Sequence, residues 1–306
     1  MLTCHISRLM VGTVQFGLRY GIANRAGQPG FDEVCDIVRY AIEHGATTLD
    51  TAAMYGESEQ VLGRVLETTG LKEKATVITK VRHLKKMPGE RMSGAVEAWI
   101  RDSVESSLRN LRLEQLPVVL FHDTVDIKYM EALLKLKEEG LIRHAGVSVL
   151  APDQMPQVLA TPGVEAIQVA ASMLDQRILR AGDLARAAEK GLAVFVRSVY
   201  LQGLLLMPEA EIIPALREVI PVRRALEQIA ADAGLTMTEM ALRYGLSLPG
   251  VTGVLVGVEM LDQMKENVRI AAAGCLPADL LEEIRAAVPT LPDTILFPGN
   301  WPGAMK

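Results

Sequence analysis

Short apolar runs rich in β-branched residues alternate with longer amphipathic windows along the whole chain. The runs with the length and composition of strands centre on Leu9–Gly12, Thr47–Asp50, Thr76–Lys80, Val118–Phe121, Ala145–Ser148, Ala166–Val169, Ala193–Arg197 and Gly253–Val256. The windows with helical periodicity are Phe31–His44, Glu57–Glu67, Ser93–Leu113, Ile127–Glu139, Gly182–Lys190, Val222–Ala233 and Leu261–Ala272. This alternation predicts an α/β fold, a (β/α)8 TIM-type barrel of parallel strands.

Several predicted helices end at a glycine, a residue that takes the left-handed cap conformation without steric cost: Gly45, Gly70, Gly140, Gly191 and Gly234. No Pro/Gly/Ser-rich linker or shift in composition divides the chain, so we predict that residues 1–306 form a single barrel domain. The alternative is an open doubly wound sheet, which would carry a G-x-G-x-x-G motif after its first strand. The first glycines, Gly12 and Gly17, have the wrong spacing for that motif.

The composition limits the classes of partner. The net charge of −5, without a basic stripe, argues against nucleic acid. The three cysteines lie far apart and lack metal-ligand spacing, so we expect reduced thiols in a cytoplasmic protein and no metal site. The N-terminus lacks the pattern of a signal peptide. No window approaches the uninterrupted apolar length of a membrane span, so no membrane partner is expected.

Polar, titratable residues end three successive predicted strands. Asp50, Lys80 and His122 close these strands, and Tyr55 follows Asp50 after a short loop. The C-terminal ends of barrel strands converge on one face, where such enzymes keep their chemistry. Taken singly, each residue has an ordinary structural role as a helix cap, a rim side chain or a core histidine. Lys80 is the exception, because a lysine that closes a buried strand needs a carboxylate, and Asp50 is the natural partner.

Together these four residues suit carbonyl chemistry. A phenol with a pKa of about 10 is a poor acid at neutral pH, and a nearby ammonium lowers that pKa. A carboxylate would hold the ammonium of Lys80 in place, and a neutral imidazole could orient a carbonyl oxygen beside Tyr55. No side chain donates hydride, so the set implies a nicotinamide cofactor.

The chain resembles the aldo-keto reductases. The segments that carry the resemblance are Leu49–Glu59, Leu62–Gly63, Ile78–Lys80, Phe121–His122, Gly140–Ser148, Ile167–Val169, Gln202–Leu205 and Glu266–Asn267. They run in order through essentially the whole chain. The resemblance implies a barrel that binds NADP(H) or NAD(H) in extended form, with Tyr55 as general acid, Lys80 and Asp50 tuning it, and His122 orienting the substrate carbonyl.

The resemblance also points to the cofactor contacts. Ser148 and Gln168 would bind the nicotinamide carboxamide, Ser198 the phosphates, and Glu266 and Asn267 the adenine end. The full set of candidate cofactor residues is Gly12, Thr13, Asp50, Ser148, Gln168, Arg197, Ser198, Leu201, Gln202, Gly203, Gly257, Glu259, Gln263, Glu266 and Asn267. The loop after the first strand, on the same face, adds Tyr20 and Asn24 to Tyr55 and His122 as candidate substrate contacts.

The sequence departs from the family at two positions near the nicotinamide. Val149 stands where the family usually has asparagine after the serine of Gly-x-Ser, so one carboxamide hydrogen bond should be lost or replaced. Arg197 takes the position of the aromatic residue that stacks on the nicotinamide. Its guanidinium could stack in the same way, bind an anionic group on the substrate, or form a salt bridge to an acid on the rim.

A third departure concerns the choice of cofactor. The family usually places basic residues before the Glu-Asn pair to hold the 2′-phosphate of NADPH. Here Gly257–Gln263 contains no lysine or arginine and carries Glu259 and Asp262. A carboxylate beside the ribose repels a phosphate, so these residues lean toward NADH, whereas the family favours NADPH. Both stay open, since Lys265 or Arg269 could hold the phosphate.

We therefore expect an NAD(P)H-dependent oxidoreductase that interconverts a small aldehyde or ketone and its alcohol. A sugar-like or anionic compound is a candidate, because Arg82, His83, Lys85 and Lys86 form a basic loop after the third strand. One alternative is a catalytically silent reductase-like barrel that binds nucleotide as a sensor or regulatory subunit. Another is a lyase or aldolase that uses Lys80 as a Schiff base. The sequence leaves the oligomeric state open.

Overall fold

The computed structural model describes residues 2–89 and 92–302. Eight parallel strands form a closed barrel in chain order, with β1 paired to both β2 and β8. The strands are β1 (Leu9–Gly12), β2 (Thr48–Asp50), β3 (Thr76–Lys80), β4 (Leu116–Phe121), β5 (Ile142–Val149), β6 (Ala166–Ala170), β7 (Ala193–Arg197) and β8 (Gly253–Gly257). All predicted strands and the TIM-type barrel are confirmed, and the closed sheet excludes the open alternative.

Helices cover the outside of the barrel. The α-helices are α1 (Val14–Gly17), α2 (Phe31–Glu43), α3 (Ser58–Thr69), α4 (Ser93–Leu111), α5 (Met130–Glu138), α6 (Met155–Ala160), α7 (Arg177–Arg180), α8 (Asp183–Glu189), α9 (Ile220–Asp232), α10 (Met237–Leu246), α11 (Leu261–Ala272), α12 (Ala278–Ala287) and α13 (Asp293–Leu296). Short 3-10 helices span Lys72–Lys74, Leu84–Lys86, Thr124–Tyr129, Pro152–Gln154, Leu201–Gly203, Glu209–Glu211, Pro214–Val219 and Pro298–Asn300.

Every predicted helical window contains a helix, and the five glycines predicted to end helices all have positive φ. The predicted windows do not include α1, α6, α7, α10, α12 and α13. None of the helices within residues 2–89 and 92–302 has the length and apolar character needed to cross a membrane.

The core has two layers. A large outer layer lies between the strands and the helices. A smaller layer fills the barrel interior with Met10, Ile78, Val118, Leu120, Ala166, Ala193, Phe195 and Leu255. The N-terminal residues Leu2, Cys4 and Ile6 pack against this interior layer and close the N-terminal end of the barrel. The opposite end is therefore the open one.

Candidate active site

The open end of the barrel is lined by the next inward-facing residues above the interior layer. Because strand residues alternate between faces, every second residue points inward. Counting two positions beyond the interior residues and their register partners gives Gly12, Asp50, Lys80, His122, Ser148, Gln168, Arg197 and Gly257. Six of these residues are polar and two are glycines, and all are predicted site residues. The barrel thus brings together residues that are far apart in sequence.

A buried ion pair forms the base of this site. Lys80 Nζ donates to Asp50 Oδ2 at 2.7 Å and to the Thr51 carbonyl oxygen at 2.9 Å. Gln168 Nε2 donates to the other Asp50 oxygen at 2.7 Å. The Lys80 and Asp50 side chains are only 1% and 4% exposed. Asp50 therefore holds Lys80 while its second oxygen is held by Gln168.

The pKa of Lys80 reflects two opposing causes. Burial lowers this pKa, but the charge of Asp50, the neighbouring Tyr55 and the hydrogen bonds to both outweigh burial and raise it. Lys80 is thus an ammonium at neutral pH. A Schiff-base lysine must be a free amine to attack a carbonyl, so this pKa argues against the lyase or aldolase alternative.

Tyr55 lies against both Lys80 and His122. Lys80 Nζ is 5.0 Å from the centroid of the Tyr55 ring. The ring centroids of Tyr55 and His122 are 5.6 Å apart, and the planes meet at 81°. The four residues predicted as the catalytic set are therefore brought together by the fold.

The loop that carries Tyr55 is tightly packed against α1. A Cβ atom on Gly17 would collide with the Tyr55 carbonyl oxygen and with the Ser58 amide. The Ser58 hydroxyl contacts the Thr13 hydroxyl at 2.8 Å and the Thr51 hydroxyl at 3.0 Å. The backbone on both sides of Tyr55 is thereby fixed, which orients the phenol. Thr13, a predicted cofactor contact, is fully buried in this hydroxyl cluster.

His122 is held by ring contacts. Its ring stacks on His83, with centroids 4.6 Å apart and planes at 20°. Its Nδ1 atom is buried and has no hydrogen-bond partner among residues 2–89 and 92–302. Burial, then the charges of Lys80, His83 and Arg197, hold the pKa of His122 well below its usual value. His122 is therefore neutral at physiological pH. No sequence pattern predicted that His83 stacks on His122; only its position in the loop after β3 placed it on this face.

Arg197 is a half-buried cation with weak contacts. Its Nη1 donates to the Ser198 hydroxyl at 3.3 Å, and its Nη2 to the Val149 carbonyl oxygen at 3.4 Å. Within the described part of the chain, no aspartate or glutamate side chain lies within 4.0 Å of its guanidinium nitrogens. The alternative of a salt bridge to a rim acid is thus not observed there. Val149 itself is buried, with 2% of its surface exposed.

The loop after β1 packs against the loop after β7. Gln202 Nε2 donates to the Tyr20 hydroxyl at 2.9 Å. Burial and Tyr55 raise the pKa of Tyr20, whereas Arg197 and the hydrogen bond from Gln202 oppose this rise.

Asn24, by contrast, holds its own loop together. Its amide nitrogen donates to the carbonyl oxygens of Tyr20 at 3.1 Å and Gly27 at 3.0 Å, and its Oδ1 accepts from the Gly27 amide at 2.6 Å. Both amide hydrogens are used, and the residue is 7% exposed. Asn24 thus has a role in loop structure, and its predicted contact with a substrate stays a prediction.

The loop after β7 has a strained backbone. Ser198, Leu201 and Gln202 have φ values of 67°, 46° and 52°, in the left-handed region that residues other than glycine rarely adopt, and Gly203 follows at 88°. Such strain concentrates at ligand-binding segments. The Tyr200 hydroxyl donates to Asn267 Oδ1 at 2.8 Å, which ties this loop to α11. The sequence did not identify Tyr200, whose pKa is raised by burial and by Glu266.

The start of α11 is lined with acceptors. Gln263 Oε1 accepts from the Glu259 amide at 2.7 Å, so the side chain of this predicted cofactor contact caps the helix. A carboxylate from α2, Glu33, accepts from the Leu261 amide at 2.6 Å.

The two cations that could hold a 2′-phosphate are already paired with carboxylates. Lys265 contacts Asp262 at 3.0 Å, and Arg269 contacts Glu239 at 2.9 Å. Lys265 lies near the start of α11 and Arg269 in its last turn, so each cation has a carboxylate beside it.

The rim between β8 and β1 consists of two glycines, one of which is covered by the side chain of Gln15. Gly257 and Gly12 are register partners without side chains. A Cβ on Gly257 would lie 2.5 Å from the Gln15 amide nitrogen. The Gln15 Oε1 atom is buried without a partner in the described residues. The described residues contain no group of His, Cys, Asp and Glu side chains that could hold a metal ion.

Comparisons with known proteins agree with this geometry. Residues 8–289 match the model of the Aldo/keto reductase family. The chain is 27% identical to the uncharacterized oxidoreductase YqkF of Bacillus subtilis, covering 83% of this chain and 86% of YqkF. It is 28% identical to L-galactose dehydrogenase of Arabidopsis thaliana, covering 85% and 84%. The solved holo form of aldo-keto reductase AKR11C1 from Bacillus halodurans matches with a TM-score of 0.77 at 26% identity, covering 95% of each chain.

Proposed function

The chain belongs to the aldo/keto reductase family, and we propose that it interconverts an aldehyde or ketone and the corresponding alcohol with NADH or NADPH. It is an oxidoreductase of a family that typically depends on NAD(P)H and acts on small carbonyl compounds. The proposal treats residues 1–306 as one catalytic domain. The observation that carries it is the buried Asp50–Lys80 ion pair against the ring of Tyr55.

Tyr55 is the proposed proton donor. In reduction, its hydroxyl gives a proton to the carbonyl oxygen of the substrate, and in oxidation the phenolate takes the proton back. The ammonium of Lys80 stabilises the phenolate that remains, because an adjacent opposite charge favours the ionised form. Asp50 keeps Lys80 charged and in position. A bound reduced nicotinamide supplies the hydride.

His122 is proposed to orient the carbonyl oxygen beside Tyr55. A neutral imidazole can donate one hydrogen bond and does not compete with the phenol as an acid. The lowered pKa of His122 keeps it in this form across the physiological range. Its stack on His83 supports the ring, since its Nδ1 atom lacks a partner in the described chain that would fix its orientation.

For the cofactor, Ser148 and Gln168 are proposed at the nicotinamide, the strained loop from Ser198 to Gly203 at the phosphates, and α11 at the adenosine end. Gln168 keeps its amide oxygen for this contact while its nitrogen donates to Asp50. The Glu33 carboxylate at the start of α11 repels a 2′-phosphate. NADH should therefore bind at least as tightly as NADPH, which paired fluorescence titrations would measure.

The test is the oxidation of NADH or NADPH in the presence of a panel of aldehydes, with Tyr55→Phe as the variant. We expect kcat to fall by about 10²- to 10⁴-fold, the usual contribution of general acid catalysis. Tyr40→Phe is the matched control, because Tyr40 stacks on His44 on the outer helix α2. Full activity of Tyr55→Phe would contradict the mechanism. Tight nucleotide binding without any turnover would favour the silent, regulatory barrel.

A further inference from the structure

Arg197 is a half-buried cation without a carboxylate, as are Arg243 and Arg285 on helices α10 and α12, but of these three only Arg197 ends a barrel strand at the open end. Arg177 is bonded to Asp175 at 2.8 Å and to Asp293, and Arg223 contacts Glu227 at 3.2 Å. Arg197 has no such carboxylate among residues 2–89 and 92–302. Removing a cation from water without a counter-charge costs free energy. At the open end of the barrel, a half-buried guanidinium without a counter-charge is available to an anionic ligand.

The existing contacts of Arg197 leave most of its donors free. A guanidinium has five N–H donors in a fixed plane. Arg197 uses two of its nitrogens, in bonds of 3.3 Å and 3.4 Å to a neutral hydroxyl and a carbonyl oxygen. Both are at the long end of the hydrogen-bond range. A carboxylate or phosphate oxygen would be a stronger partner for this group than either.

Arg197 also faces the reacting end of the pocket. It ends β7 two positions beyond the interior residue Phe195, so it faces the same open end as Lys80 and His122. The other cation at the centre of the site, Lys80, is neutralised by Asp50. The site without its ligands thus carries one positive charge that no described carboxylate balances. An anion bound here would lie beside the residues proposed to hold the carbonyl.

We propose that Arg197 forms an anion-binding subsite, and that the preferred substrates are aldehydes or ketones that carry a carboxylate or phosphate group. Arginine matches the paired oxygens of both groups in a bidentate geometry. The exposed Lys85 and Lys86 in the loop after β3 add positive potential on the same face. This inference rests on the proposed function, because it assigns the substrate class of that same site.

The test compares matched aldehydes that differ only in charge. One pair is 4-carboxybenzaldehyde and its neutral methyl ester, and a second is glyceraldehyde 3-phosphate and glyceraldehyde. The wild-type kcat/KM should be larger for the anion of at least one pair. Arg197→Gln should reduce the anion-to-neutral ratio by roughly 10- to 100-fold, the range of a hydrogen-bonded charge pair. Which pair responds separates carboxylate from phosphate recognition.

Two controls separate direct contact from other causes. Lys86→Gln removes one exposed charge from the same face and should change the ratio by less than about threefold, as expected for a screened surface charge. Nucleotide dissociation constants for Arg197→Gln test a role in cofactor binding. If nucleotide binding weakens and both aldehydes of each pair slow equally, Arg197 serves the cofactor and the proposal is overturned.

A binding experiment keeps the inference distinct from the proposed function. Calorimetric titration with benzoate, benzamide and inorganic phosphate requires no turnover. Binding of benzoate or phosphate to the wild type that is lost in Arg197→Gln supports the subsite even if no aldehyde is reduced. Equal binding to both proteins, or binding to neither, overturns it.

Discussion

Each end of the barrel contains a shielded histidine, and the two histidines differ in their hydrogen bonds. At the closed end, His144 Nε2 accepts from the Thr3 amide at 3.0 Å, and its Nδ1 contacts Glu165 Oε1 at 2.9 Å. Glu165 is in turn paired with Lys137 at 2.7 Å. At the open end, His122 has a buried Nδ1 with no partner in the described chain. One histidine is fully bonded, and the other is held by ring contacts.

This difference follows from the roles of the two ends, since the closed end stabilises the fold and the open end is the proposed site of catalysis. The bonds of His144 join the N-terminal segment to β5 and to Glu165, and they serve only the fold. At the open end the Nδ1 atom of His122 has no partner in the described residues, and Arg197 makes only two long hydrogen bonds to neutral groups, which leaves both side chains for a ligand at some cost in stability. In such barrels, catalytic residues usually lie at the C-terminal face, and residues at the N-terminal face contribute to stability. Changes at the two ends should therefore have separable effects.

The largest expected effect is a joint loss of stability and activity when the Asp50–Lys80 ion pair is broken. Lys80→Met or Asp50→Asn alone leaves a buried group without its partner, which costs about 3–5 kcal/mol of unfolding free energy. Each variant should also lose about 10²- to 10⁴-fold in kcat, because Tyr55 loses its tuning. Urea denaturation and steady-state kinetics measure both.

The double variant Asp50→Asn/Lys80→Met sharpens this result. It removes both charges, so its loss of stability should be smaller than the sum of the two single losses, while its activity stays low. Strict additivity in stability would mean that the ion pair is not coupled as the 2.7 Å contact indicates.

At the closed end, His144→Leu should affect stability alone. The substitution removes the acceptor of the Thr3 amide and one of the partners of Glu165, which keeps Lys137, at a cost of about 1–3 kcal/mol. The value of kcat/KM should stay within about twofold of wild type, because the N-terminal face of a barrel lies away from the chemistry. A large loss of activity in a protein that remains folded would break the comparison between the two ends.

The smallest expected effect is a pH dependence of stability. The pKa of His122 is well below its usual value in the folded protein, while in the unfolded chain it is about 6.5. Below that pH the unfolded state binds more protons, so the unfolding free energy falls as the pH drops from about 6.5, by at most about 1.4 kcal/mol per pH unit for one group. His122→Gln should flatten this slope in denaturation experiments between pH 6.5 and 5.

Burial and the charge of Lys85 also lower the pKa of His83, so His83 likewise makes the unfolding free energy fall as the pH drops below about 6.5. The variant His83→Gln should keep the part of the slope that belongs to His122. An unchanged slope in His122→Gln would mean that this histidine is not kept neutral by the fold.

The sequence predicted the barrel and the catalytic set for the same reason. Strand periodicity determines which residues face inward, and the C-terminal ends of parallel strands lie together. The sequence alone therefore placed Asp50, Lys80 and His122 at one end of the barrel. Helices such as α10 and α12 were not predicted, because they are additional to the one helix expected after each strand.

Contacts of side chains were harder to predict than positions. Gln168 bonds Asp50 across 118 residues, His83 stacks on His122, and Asn24 turns its amide into its own loop. Each depends on rotamers and on loops that no local pattern encodes. The family resemblance predicted Gln263 and Asn267 as cofactor contacts. It could not predict that their side-chain oxygens accept hydrogen bonds from the protein itself.

The most direct test of hydride transfer at the open end uses NADH or NADPH deuterated at both positions of carbon 4 of the nicotinamide. After turnover of an aldehyde, mass spectrometry of the alcohol should find one deuterium on the former carbonyl carbon, with formation of this product strongly reduced in Tyr55→Phe. An alcohol without deuterium, or equal labelled product from Tyr55→Phe, would contradict the proposed mechanism.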